Sequence, residues 1–469
     1  MTRFVQVGFG VCLALLVGAC ATAPVENERL HRVPGSGGYR FSSLVPGKDN
    51  SDGLFVILTF SGGGTRAASL AYGVLEKLRA TEIVWDGEKR RLLDEVDVIS
   101  SVSGGSLPAA YFALFGERTF ADFPDKVLYR DIQSNLLSQG LKWRNYIKLA
   151  SPFYGRTDLM ADTFTREIFE RRTFADLLDR RTRPFVLINS TDMALGSRFE
   201  FTQRQFDLLN SNLDTYPIGH AVAASAAFPG LLTPMTLRNF DKGNGYQMPA
   251  WLETTLATSD FYSPQYSAAL EMQSYLKSDK PYVHLSDGGV SDNLGVLPVI
   301  QFMDGVMPED SLRSAVESGE IKKVVIITVD AKRAGRVTWD KDRDVVGLLN
   351  VLNVVSSAPL SNYSEAEIAF LRSYVRNLNT LREVRGKTVA LAGKDAVDEN
   401  VPELRVPDCQ YFFIEVGFNR MRDDAERSYL NEIPTSFNLQ KEQVDRLRAA
   451  AGRILDDDPE FQTLLRGLK

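Results

Sequence analysis

Residues 96–115, VDVISSVSGGSLPAAYFALF, read as a short apolar strand over Val96–Ser100, a turn of small residues over Ser101–Ser106 and an apolar helix over Leu107–Phe115. The same order stands upstream. Leu54–Phe60 (LFVILTF) is a β-branched and aromatic run, a glycine cluster follows, and Arg66 to about Arg79 carries a helical pattern. Further strands are expected at Pro184–Asn189, Arg198–Thr202, Tyr282–Leu285, Lys323–Val329 and Tyr411–Val416, with amphipathic helix over 339–380 and a final helix over Lys441–Leu455. Strands alternating with helices predict an α/β fold whose sheet is mostly parallel and covered on both faces.

The chain has 469 residues, 44% apolar and 24% charged, with a formal net charge of −6. That is ordinary globular composition with room for a large core. It supplies no positive field to draw the protein onto nucleic acid or an anionic bilayer. Of the three cysteines, Cys12 and Cys20 fall in the first twenty residues, so the body holds only Cys409 and no intrachain disulfide framework is possible.

Residues 1–19 have an early Arg3, an apolar stretch and small residues at Gly18 and Ala19, the pattern of a secretory signal. Val17-Gly18-Ala19-Cys20 resembles the bacterial lipobox, which implies lipidation at Cys20, and Ala21 after it points to an outer-membrane lipoprotein facing the periplasm. Several acyl chains would hold such a protein on the membrane essentially permanently. Residues 20–52, rich in Pro, Gly, Ser and charge, read as a flexible tether. The body is then divided at 53–335, with a mainly helical C-terminal extension over 336–469.

Three glycine-rich turns carry the chemistry. The first, Ser61-Gly62-Gly63-Gly64-Thr65-Arg66-Ala67, lies between a strand and a helix start, where bare amides and the helix amino end attract an anion. A dinucleotide pyrophosphate and a reaction oxyanion are both open at this turn alone. The second places Ser103 in the pattern of a nucleophile elbow, G-x-S-x-G, with Ser101 at the first glycine and Gly105 at the last. A nucleophile beside a second loop of free amides is the apparatus of acyl transfer. The third turn, Ser286-Asp287-Gly288-Gly289, sets a carboxylate beside two glycines that allow close backbone approach.

G-G-G-x-R, a serine elbow and Asp-Gly-Gly in this order and spacing resemble the patatin-like phospholipases, over about Leu54–Gly295. INSTDMALGSRFEFT from Ile188 and AVAASAAFPG from Ala221 look familiar in the same way. The resemblance implies a three-layer patatin-like α/β fold and a serine–aspartate dyad. Ser103 would be the nucleophile, Asp287 the general base, and the amides of Gly62, Gly63 and Gly64 the oxyanion hole. Ser101 and Ala67 depart from the usual residues of the elbow and the oxyanion loop, and neither removes a reactive group. Membrane phospholipid or another acyl-ester lipid is the implied substrate.

The three histidines offer a conventional triad as a rival, Ser103 with His220 or His284 and another acid. Arg66 could meet a lipid phosphate or tie neighbouring loops together. Ser225, Pro229, Asp292 and Asn293 read as helix or turn chemistry. No metal-binding motif occurs, and neither metal nor cofactor is expected. Two readings compete with a hydrolase: a nucleotide-dependent protein using the first loop, and an envelope scaffold with this fold and no turnover.

Overall fold

All seven residues of Leu54–Phe60 (β1) are buried, as a continuous apolar run in a sheet covered on both faces should be. The computed structural model describes residues 26–468, apart from 33–34, 36, 141, 242–247, 249, 258–260, 262, 277–278, 305–312, 334–347 and 394–405. The expected signal at 1–19 and the lipidation site Cys20 lie outside the described residues. So do residues 339–347 of the expected amphipathic helix. Among the described residues no helix is long and apolar enough to cross a membrane.

Seven further strands join β1 in one sheet: Val96–Val102 (β2), Phe185–Asp192 (β3), Ser197–Glu200 (β4), Met235–Arg238 (β5), Tyr282–Asp287 (β6), Lys323–Asp330 (β7) and Gln410–Gly417 (β8). The spatial order is β8-β7-β1-β2-β3-β6-β5, with β4 also on β3. From β8 to β3 every pairing is parallel. At β3 the sheet turns antiparallel, toward β6 and β4, and β6 toward β5.

The main helices are Gly64–Ala80 (α1), Ser106–Phe115 (α2), Ile218–Ser225 (α3), Leu297–Asp304 (α4), Leu348–Ala392 (α5) and Lys441–Asp457 (α6). Successive residues of β1 feed opposite faces: Val56, Leu58 and Phe60 join the larger core with α1, α2, α3 and α6, while Phe55 and Ile57 join the smaller one with α4 and α5. The result is the three-layer arrangement expected. At the α1–α6 crossing Gly73 is required, because a Cβ there would lie 2.4 Å from the carbonyl oxygen of Arg448. Beside it Arg448 Nη2 meets Glu76 Oε1 at 2.7 Å.

Two expectations about organisation are corrected. Residues 26–52 do not hang free as a tether. Glu28 and Arg29 pair antiparallel with Asn212 and Ser211, and Asn27 Nδ2 donates to Ser211 Oγ and to the carbonyl of Arg238. Tyr39 is fully buried, its hydroxyl accepting from the Val186 amide at 2.7 Å and its ring against Phe174 and Phe185. Pro and Gly there shape turns over the body, and the scattered apolar residues Leu30, Tyr39 and Leu44 anchor them. The division at 335/336 likewise separates no independent unit. β8 pairs with β7 along its whole length and α6 packs on α1, so residues beyond 336 complete the same sheet and core.

Candidate active site

Register along β3 brings Ser103 and Asp287 together. Asn189 pairs with Val102 of β2 and with Glu200 of β4, so β2 and β4 lie on opposite edges of β3. Ser190–Asp192 pair with β4 and with β6, which puts β6 on the edge shared with β2. β2 therefore runs up that edge and stops at Val102 beside Asn189, while β6 runs down it and stops at Asp287 beside Ser190. The strand ends meet head on, and the residues that follow face each other across the junction.

Ser103 follows β2 with φ 51°, a left-handed backbone uncommon outside glycine, and opens a tight turn into α2. Strain of this kind persists where the surroundings impose it. Here Gly104 lies against the first loop, where a Cβ would fall 2.1 Å from the Gly64 carbonyl oxygen, and Gly105 lies against the carbonyls of Phe60 and Ser61. Ser101 is fully buried and its hydroxyl donates to the Leu187 carbonyl at 3.0 Å, so a serine replaces glycine there by finding its own partner on β3.

Ser103 Oγ donates to Asp287 Oδ2 at 2.9 Å, and both side chains are buried. Asp287 Oδ1 accepts the Gly289 amide at 2.8 Å. Burial disfavours the carboxylate more than these two bonds favour it, and its pKa rises to about 6. The backbone of Asp287 is pinned too: its amide donates to the Ala227 carbonyl, and its own carbonyl accepts from Thr191 Oγ1 at 2.8 Å.

Of the three oxyanion-loop glycines, Gly62 is corrected: its amide donates to the Asn293 carbonyl at 3.0 Å and is not available to a ligand. The amides of Gly63 and Gly64 make no hydrogen bond among the described residues. These glycines, at φ 140° and 61°, sit where α1 begins. The loop is fixed from behind by the C-terminal part of the chain. Arg66 is buried, and its Nε and Nη1 donate to the carbonyls of Ala331 and Ile433, while the Thr65 amide donates to the Ser436 carbonyl. Arg66 thus ties loops together, the structural of its two expected roles.

Neither histidine bonds Ser103. His220 Nδ1 lies 3.0 Å from Thr165 Oγ1, and burial pushes its pKa down to about 4. His284 Nδ1 meets Thr236 Oγ1. Ser225, read from sequence as helix chemistry, does more: its hydroxyl accepts the Ser103 amide at 2.8 Å and donates to the Asn189 carbonyl at 2.6 Å. Asn189 in turn holds the Ser101 carbonyl through Nδ2. The segments from Ile188 and Ala221 are this bracing. Asp292 accepts the amides of Val296 and Leu297 and so caps α4. Among the described residues no group of three or more His, Cys, Asp or Glu could hold a metal ion.

The model of the patatin-like phospholipase family matches residues 58–300, just over half of the chain, including the three glycine-rich turns, Ser103, Ser225 and Asp287. The chain belongs to the patatin-like phospholipase family. No curated protein matches it in sequence. Among solved structures it is similar to human GIVD cytosolic phospholipase A2, at 12% identity and a TM-score of 0.46, covering 89% of this chain and 62% of that one. The same enzyme with a methyl γ-linolenyl fluorophosphonate inhibitor and terbium chloride gives 13%, 0.41, 89% and 59%. VipD from Legionella pneumophila gives 12% and 0.32, covering 94% of this chain and 70% of that one. The chain therefore spans about three fifths of the length of the phospholipase A2 structures it matches.

Proposed function

We propose that this patatin-like protein is a serine lipid acyl hydrolase that cleaves fatty acyl esters of membrane phospholipids. The observation that carries the reading is the 2.9 Å bond from Ser103 Oγ to Asp287 Oδ2 at a left-handed elbow beside the amides of Gly63 and Gly64, which make no hydrogen bond among the described residues. In this mechanism Ser103 Oγ attacks the ester carbonyl carbon while its proton passes to Asp287. The amides of Gly63 and Gly64 receive the oxyanion of the tetrahedral intermediate. Asp287 then returns the proton to the departing alcohol, leaving an acyl-serine. Water loses a proton to the same carboxylate and adds to that acyl group, and as the intermediate collapses Asp287 returns the proton to Ser103 Oγ, releasing the fatty acid and restoring the serine. An ordinary aspartate is a weak base, but burial raises Asp287 to about 6, which narrows the mismatch at neutral pH.

Anchoring through a lipidated Cys20, in the outer membrane facing the periplasm, would keep the enzyme at its substrate. Treating the protein with a fluorophosphonate ester and assaying fatty-acid release from phosphatidylethanolamine vesicles tests the reading. Wild type should label at Ser103 and release fatty acid, and Ser103→Ala should lose labelling and fall roughly a thousandfold or more in turnover. A folded wild type that neither labels nor hydrolyses would leave the scaffold reading. Lysophospholipid and neutral-lipid arms of the same assay fix the substrate.

A further inference from the structure

Asn293 lies beyond Asp287, in the turn that leads into α4, and its main chain is held from two sides. The Asp292 amide donates to the Gly288 carbonyl at 3.0 Å, and the Asn293 carbonyl accepts the Gly62 amide at 3.0 Å. The turn that carries Asp287 is thereby tied to the glycine loop at this residue. Two glycines then make room for its side chain. A Cβ on Gly62 would lie 2.7 Å from Asn293 Oδ1 and 3.4 Å from Ser103 Cβ. A Cβ on Gly289 would lie 2.8 Å from the same oxygen and 3.0 Å from Asp287 Oδ1. Alanine at either position would collide with the carboxamide, so both glycines keep open the space that Asn293 Oδ1 occupies beside the serine and the carboxylate.

That oxygen and the Asp287 carboxylate are neighbouring acceptors. The Asn293 carboxamide is half-buried and makes no hydrogen bond among the described residues. Each oxygen of Asp287 takes one donor, Oδ2 from Ser103 and Oδ1 from Gly289. Once Ser103 Oγ carries an acyl group its proton is gone, and Oδ2 loses that donor. Two acceptors side by side are matched by a molecule that donates twice from a single atom, and water does so.

We propose that Asn293 orients the water that frees the acyl group, a role that rests on the reading of Ser103 as nucleophile. In the acyl-enzyme this water donates one proton to Asp287 and the other to Asn293 Oδ1, which turns a lone pair of its oxygen toward the acyl carbon. As the new C–O bond forms, the first proton passes to Asp287. As the bond from that carbon to Ser103 Oγ breaks, Asp287 returns the proton to Oγ. The second proton stays on the water oxygen and leaves in the carboxyl group of the fatty acid. Attack by Ser103 itself uses no water, so loss of the carboxamide slows the second half of the reaction alone.

Burst kinetics of the full chain with p-nitrophenyl butyrate, joined to the rate of fluorophosphonate labelling at Ser103, test this. Asn293→Leu keeps the shape and the main-chain bond to Gly62 but neither polar atom. It should label at the wild-type rate, while steady-state turnover falls about tenfold to a hundredfold and butyryl-Ser103 accumulates as a gain in intact mass. Asn293→Asp, which retains an acceptor, should recover part of that loss. Labelling and turnover that fall together would mean that the side chain only shapes the elbow, and would overturn the role. Unchanged turnover in Asn293→Leu overturns it as well, as does equal slowing in the Leu and Asp variants. A wild type that does not label overturns the reading of Ser103, and the role of Asn293 with it. Where Asn293→Leu does not fold, Asn293→Ala carries the same comparison.

Discussion

β2 has a buried carboxylate near each of its ends, and the two differ in what they hold. Asp97, near the amino end, is fully buried and accepts from the Val56 amide, Arg183 Nη1 and Asn50 Nδ2 at 2.9, 2.8 and 3.3 Å. Asp287, beyond the carboxyl end, accepts from one amide and from the Ser103 hydroxyl. Burial raises both, Asp97 to about 7 and Asp287 to about 6. No donor to Asp97 surrenders a proton near neutrality, whereas in the proposed mechanism the Ser103 hydroxyl does so as it attacks a carbonyl. Burial sets basicity at either end; the partner decides whether the carboxylate only supports the fold or can also take the proton the proposed mechanism needs.

Substitutions should separate the two ends. Asp287→Asn keeps the shape and removes the base, and turnover should drop by about 10²–10⁴-fold, read as fatty-acid release, with the melting temperature at neutral pH not lowered. If Asp287→Asn instead unfolds the protein while turnover per folded molecule holds, the contrast collapses. Asp97→Ala should do the reverse. It strands the largely buried Arg183, whose side chain is 15% exposed, and should cost about 3–5 kcal/mol in denaturant unfolding, with labelling of Ser103 in the folded fraction unchanged.

Ser225→Ala sharpens the comparison, because Ser225 supports the chemical end without touching substrate. The Ser103 amide and the Asn189 carbonyl would lose a shared partner, at about 1–3 kcal/mol of stability. As a positioning residue it should lower kcat more than it raises KM, and Ser225→Thr should recover part of the loss. A purely structural role would leave kcat per folded molecule intact.

The mildest effect is in pH. kcat/KM should fall about tenfold per unit below pH about 6 as Asp287 protonates. Because its folded pKa is raised, the protonated carboxyl contributes stability that is present at pH 4 and lost as pH rises through about 6. Asp287→Asn should therefore gain stability relative to wild type between pH 4 and 7. A gap that stays constant across that range would contradict the raised value.

The strands and the three turns were legible because each is written locally: an apolar run, then residues small enough to turn. Ser103 and Asp287 could be named from such motifs even though 184 residues separate them. The bracing could not. Ser225 reaches Ser103 across 122 residues, and its helix, Ile218–Ser225, is mostly small and apolar around His220, so nothing marks which face meets the elbow. Gly62 looks the same as Gly63 and Gly64 in sequence, and only the approach of Asn293 takes its amide out of play. The antiparallel turn of the sheet at β3 was hidden as well, since the exposed–buried alternation of β6 spans only Tyr282–Leu285. The segment at 26–52 was misread because composition reports backbone irregularity, while docking depends on a few large side chains such as Tyr39.

The carbonyls of Ile433 and Ser436 that steady the glycine loop are made long after Ser103 and Asp287. A ribosome-bound chain that has not yet reached them holds both reactive side chains but not the clamp on the amides meant for the oxyanion. Order of synthesis thus leaves the centre proposed for ester cleavage without its steadied amides until nearly the last helix has been laid down.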